Sequence, residues 1–98
     1  MGPGVVVEFV DPAGRMKFFH RVTPLGVPLD EFVRSVRLPN AGRPDREDKE
    51  NPGRVKRWVR LKDPLGRTHR FTVILEVVEP GDGILPGRVQ VVSLFPTE

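Results

Sequence analysis

Apolar and polar residues alternate most regularly between positions 55 and 78. A period of two is the signature of a strand with one buried face. The alternation breaks once, at Asp63-Pro64-Leu65-Gly66-Arg67. Asp there can accept backbone N–H groups, Pro presets φ, and Gly supplies a left-handed residue. The pattern predicts a β-hairpin that pairs Val55 to Lys62 with Thr68 to Val78. If Asp63 faces Arg67, then Leu61 faces His69, Val59 faces Phe71 and Arg60 faces Arg70. Val55, Val59, Leu61, Phe71, Val73, Leu75 and Val77 then share one face. Lys56, Trp58, Arg60, Lys62, Arg70 and Thr72 share the other.

The same turn phrase occurs earlier as Asp11-Pro12-Ala13-Gly14-Arg15. By analogy it predicts a first hairpin, Val5 to Val10 with Met16 to Val22. Between the two lies one helix. Pro28 suits its first position, Asp30 and Glu31 suit its first turn, and Leu29, Phe32, Val33 and Val36 form one apolar stripe before Pro39. Residues 39–53 are polar and rich in charge, which predicts a mobile loop. A last strand, Arg88 to Phe95, follows a Gly/Pro-rich turn. The expected fold is α+β: two β-hairpins and a C-terminal strand in a small antiparallel sheet of about five strands, with one α-helix packed on a face. Residues 1–98 are expected to form a single domain.

Composition narrows the functional classes. The chain has 98 residues, 38% apolar and 30% charged, which suits a globular domain. No apolar run approaches a membrane span, and the Met-Gly-Pro-Gly start has no signal-peptide pattern, so a cytoplasmic location without membrane contact is expected. With no cysteine there is no disulfide framework, thiol nucleophile or Cys-type zinc site. His20 and His69, the two histidines, have no partners at ligand spacing, so no metal is expected. No phosphate-binding glycine loop is present, and no cofactor is expected. Eleven prolines and abundant Arg suit a thermophilic protein with stiff loops.

Charge changes the picture more. From Arg54 to Arg70 there are seven basic residues and one acid, although the formal net charge is only +3. Like charges at Arg60 and Arg70 disfavour each other across the strand pair, and an anionic ligand would relieve them. Trp58 on the same face offers a stacking surface for a base. Lys56, Trp58, Arg60, Lys62 and Arg70 are therefore the candidate nucleic-acid-binding residues. His20 and His69 are candidates for acid–base work, and two histidines with arginines beside them suffice in principle for metal-independent RNA cleavage. Ser93 lacks a Gly-x-Ser-x-Gly context, which argues against a hydrolase triad.

The order of elements adds a resemblance. A His-bearing segment, Phe18-Phe19-His20-Arg21, precedes a helix that ends at Pro39. A variable loop, two basic strands and Val89-Gln90-Val91-Val92-Ser93-Leu94-Phe95-Pro96 follow. This resembles the small ribonucleases of the barnase–EndoU–colicin–RelE superfamily of phage and bacterial toxins. The resemblance implies an RNase with His20, Arg60, Arg70 and Ser93 at its active face. The leading expectation is a small basic RNA-binding domain with metal-independent ribonuclease activity as its extension. The rival is a non-enzymatic interaction or assembly module. RNA or another polyanion, a protein partner at the 39–53 loop, and a homo-oligomer joined through sheet edges are the expected partners.

Overall fold

The long hairpin forms in the register that alternation predicts. In the computed structural model, which describes residues 6–9, 12–38, 44–81 and 87–97, β3 (Arg54–Lys62) pairs antiparallel with β4 (Thr68–Glu79). Val59 is opposite Phe71, Arg60 opposite Arg70, and Leu61 opposite His69. Gly66 has φ 82°, the left-handed value the turn requires. β5 (Arg88–Pro96) pairs antiparallel with β4, with register shifts at Ile74/Leu75 and Val77/Glu79.

The first hairpin is not formed. Its leading segment is a short strand, β1 (Val6–Glu8), but Pro12–Arg21 is an α-helix, α1. The physical reason lies in what flanks the turn phrase. Around Asp63 the neighbours alternate. After Pro12 the inward residues Gly14, Phe18 and Val22 recur every four positions, which is a helical face. Proline at the first helical position is as favourable as proline in a turn. Met16 and Phe19, counted as strand residues in the hairpin reading, are exposed.

The sheet is therefore mixed rather than antiparallel. β1 runs parallel to β5, and the strand order is β1-β5-β4-β3-β2, where β2 is Arg46–Glu47. That short strand comes from within the segment expected to be a mobile loop. It pairs with Lys56 and Val55 of β3. β5 lies between β4 and β1, paired with β1 as far as Gln90.

The second helix, α2, spans Leu29–Arg37, with Pro28 just before it at the cap. Phe32 and Val36 are fully buried and Val33 is half-buried, but Leu29 is 49% exposed. Pro39 lies outside the described residues. Between the helices Thr23–Leu25 makes one 3-10 turn.

Both helices cover the odd-numbered face. Phe18, Val22, Phe32 and Val36 form one core with Val59, Leu61, Phe71, Val73, Leu75, Val91 and Leu94. Phe18 and Phe32 meet edge-to-face at 5.2 Å between centroids, and Phe9, just after β1, lies 5.9 Å from each. Arg57 is an odd position too, and it interrupts the apolar pattern for a reason. Its guanidinium donates to the Val36 carbonyl at the end of α2 (2.6 Å) and pairs with Asp45 (2.6 Å). One side chain thus satisfies a helix C-terminal carbonyl and ties the segment before β2 to β3.

The outer side of β5 is closed by α1 where β1 ends. β1 pairs only as far as Gln90. Beyond it, Gly14 lies against the Val91 carbonyl, Lys17 donates to Ser93 Oγ (3.0 Å), and Arg21 donates to the Leu94 carbonyl. A helix laid on an unpaired strand flank is one way to prevent unwanted strand addition.

Candidate nucleic-acid interface and an adjoining cleft

The even-numbered face of the sheet carries no helix among the described residues. Pairing fixes who is beside whom on it. Trp58 is opposite Thr72, Thr72 is opposite Phe95, and Lys56 is opposite Ile74. Trp58 and Ile74 are half-buried and Phe95 is exposed, so an apolar strip crosses three strands. Arg60, Lys62 and Arg70 are exposed toward the hairpin turn. All five sequence-predicted binding residues, Lys56, Trp58, Arg60, Lys62 and Arg70, belong to this one face.

The face is electrically lopsided. At the end away from the turn, Arg54 meets Glu76 at 3.4 Å and Gln90 donates to the same carboxylate at 2.8 Å. That end is neutralised across three strands. Near the turn, Arg60 and Arg70 occupy directly paired positions with Lys62 two residues on. Like charges in directly paired positions disfavour each other, and a bound anion would relieve them.

The turn is held by one carboxylate. Asp63 has a side chain 1% exposed. Its Oδ1 accepts the N–H groups of Leu65 and Arg67, both at 2.9 Å. Its Oδ2 contacts Arg67 Nε and His69 Nε2, also at 2.9 Å. The His69 hydrogen bond, followed by those from Arg67 and Leu65, holds the Asp63 carboxyl well below the usual carboxylate range, against the opposing effect of burial. His69 is thus fixed in orientation by the turn.

Behind the turn end of β4 and β5 lies a cleft of about 600 Å³. Arg21, Leu25, His69, Arg70, Pro96 and Thr97 line it. Arg70 therefore belongs to both the open face and the cleft. The Thr97 amide donates to the Arg70 carbonyl (2.9 Å), and the Thr97 and Thr72 hydroxyls meet at 2.7 Å, so the far wall is tied to β4.

His69 and Ser93 are placed apart. Ser93 pairs with Ile74, five residues along β4 from His69, a separation of about 16 Å. It is Lys17, not His20, that reaches Ser93. It is Arg21, not His20, that joins His69 in the cleft. His20 is exposed on α1, one residue and about 100° of helical rotation from Arg21. Sequence reasoning missed Arg21 and Lys17. Their signal was the spacing Gly14, Lys17, Phe18, Arg21, which puts all four on one helical face once the segment is read as a helix. Among the described residues no three His, Asp or Glu side chains gather as a metal site, and no helix is long and apolar enough to cross a membrane.

No known family model matches the chain, and neither the characterised proteins nor the solved structures compared with it give a match.

Proposed function

We propose that the protein binds single-stranded nucleic acid, RNA foremost, on the even-numbered face of its sheet. One observation carries this reading. The face opposite the helices presents Trp58 beside the directly paired Arg60 and Arg70, with Lys56 and Lys62 on the same strand as Trp58. Cations along a strand follow a phosphate backbone, and an aromatic side chain between them accepts a stacked base of any identity. The neutral end at Arg54, Glu76 and Gln90 limits the contact to the part of the face from Lys56 to the turn. The reading is one of binding.

The rival reading uses the same face differently. Trp58, Ile74 and Phe95 would make the contact of an interaction or assembly module, with the arginines at its rim. The two readings differ in what Trp58 reports. It is the one tryptophan of the chain, so its fluorescence can be followed directly. Titration with a short single-stranded RNA should quench Trp58 saturably at low salt, and Trp58→Leu should weaken RNA binding by roughly five- to a hundredfold, the range of one base stack. Unchanged Trp58 emission, together with an emission shift on raising the protein concentration alone, would favour the assembly module.

A further inference from the structure

The cleft at the turn end of the sheet shares Arg70 with the open face, and Arg21, Leu25 and His69 lie off that face. Its charged lining comes from two distant parts of the chain: Arg21 from the last turn of α1, and His69 and Arg70 from β4. Two of these groups are already held in place. Arg21 donates to the Leu94 carbonyl, and His69 Nε2 contacts a carboxylate that is itself bound by the turn. Groups already held in place bind an anion with little further loss of side-chain freedom. Among the described residues no acidic side chain lines the cleft; Asp63 stands behind His69 and is occupied by four hydrogen bonds. Leu25 and Pro96 supply an apolar part. The volume, about 600 Å³, exceeds that of a bare oxyanion and falls in the range of small-molecule sites.

We infer that this cleft is a binding site for a phosphate monoester with an apolar body. Arg21 and Arg70 face the phosphoryl oxygens as donors. The role of His69 selects among anions. Because Nε2 is turned to Asp63, Nδ1 is the ring nitrogen for a ligand. As imidazolium, Nδ1–H donates to a phosphoryl oxygen. As neutral imidazole donating to Asp63, Nδ1 accepts the proton of a P–OH group. A phosphate monoester, which carries a titratable P–OH, matches either state. A sulfate ester or a carboxylate matches only the first. The body of the ligand lies over Leu25 and Pro96. This assignment does not depend on RNA binding at the open face, because a monoester carries neither a strand nor a series of phosphates.

The test is a titration of the full chain, at neutral pH and constant ionic strength, followed by amide nitrogen–proton correlation spectra. Phenyl phosphate and phenyl sulfate are the probes. Phenyl phosphate should move the amides of Thr68, His69, Arg70, Phe71 and Thr97 saturably, and phenyl sulfate should bind at least about fivefold more weakly. Arg70→Gln should weaken phenyl phosphate by about tenfold or more, as loss of a charge-assisted hydrogen bond does. Arg70 is exposed, so the fold survives the change. His69→Gln should narrow the difference between the two probes, and the amide spectrum of the α2 and β5 core residues shows whether that variant remains folded. Equal binding of phosphate and sulfate esters by the wild type, or an equal loss in the surface variant Arg34→Gln, would overturn the assignment. So would amide shifts scattered over all basic residues.

Discussion

Gly14 of α1 lies directly against the backbone carbonyl of Val91 in β5, so close that a Cβ on Gly14 would fall far inside van der Waals contact. The contact joins helix to sheet at the point where β1 has ended. It also explains why a residue of poor helix propensity stands within a helix. Gly14→Ala should therefore destabilise the protein by about 1–3 kcal/mol, although alanine is the better helix former by up to about 1 kcal/mol. Urea unfolding measures the difference. A stabilised variant would mean that α1 does not rest on β5 in this way.

Phe32 and Leu29 sit on the same helix with opposite fates. Phe32 is fully buried among Phe9, Phe18 and the sheet, and Leu29 is 49% exposed. Phe32→Ala should cost about 3–5 kcal/mol. Leu29→Ala should cost less than about 1 kcal/mol, as an exposed substitution does. Similar losses for the two would contradict the orientation of α2.

Asp63 makes the stability depend on acid in a defined direction. Its carboxyl is depressed in the folded state by His69, Arg67 and Leu65. A depressed acid stabilises the fold in full above its unfolded value of about 3.9. That contribution is lost as pH falls below this value toward the folded one. Asp63→Asn should thus be less stable than the wild type at neutral pH, and should lose less stability between about pH 4 and pH 2. Thermal unfolding across that range measures both. Parallel acid limbs for the two proteins would show that Asp63 is not the titrating group.

The parts of the fold legible in the sequence are those where independent local signals agree. Around Asp63, turn chemistry and alternation point to the same hairpin, and its register is as expected down to Arg60 opposite Arg70. The stripe of Phe32, Val33 and Val36 placed α2, and the β-branched run after Arg88 placed β5. The Asp11 to Arg15 phrase failed because proline followed by glycine serves a turn and a helix start alike. The parallel pairing of β1 with β5 depends on contacts some eighty residues apart, such as Arg88 to Glu8 at 2.9 Å, which local pattern does not encode. Arg57 was passed over because a charge on an apolar face breaks the period. Its purpose, holding the Val36 carbonyl and Asp45, is visible only in three dimensions. The same holds for the site. The cationic face was legible because one hairpin carries it. The cleft was not, because Arg21 reaches it from a helix read as a strand.

The central claim is that the paired arginines on the open face bind a phosphate backbone. The most direct measurement is the affinity for single-stranded RNA at several salt concentrations, for the wild type, for Arg60→Gln/Arg70→Gln, and for Arg34→Gln/Arg37→Gln as a control of equal charge change. Binding that releases counterions gives a straight line of log affinity against log salt, with a slope of about −0.7 per phosphate neutralised on a single strand. Removing Arg60 and Arg70 should flatten that slope by about 1.4, whereas removing Arg34 and Arg37 on α2 should leave it nearly unchanged. Equal slopes for the two double variants, or no RNA binding by the wild type at low salt, would contradict the account.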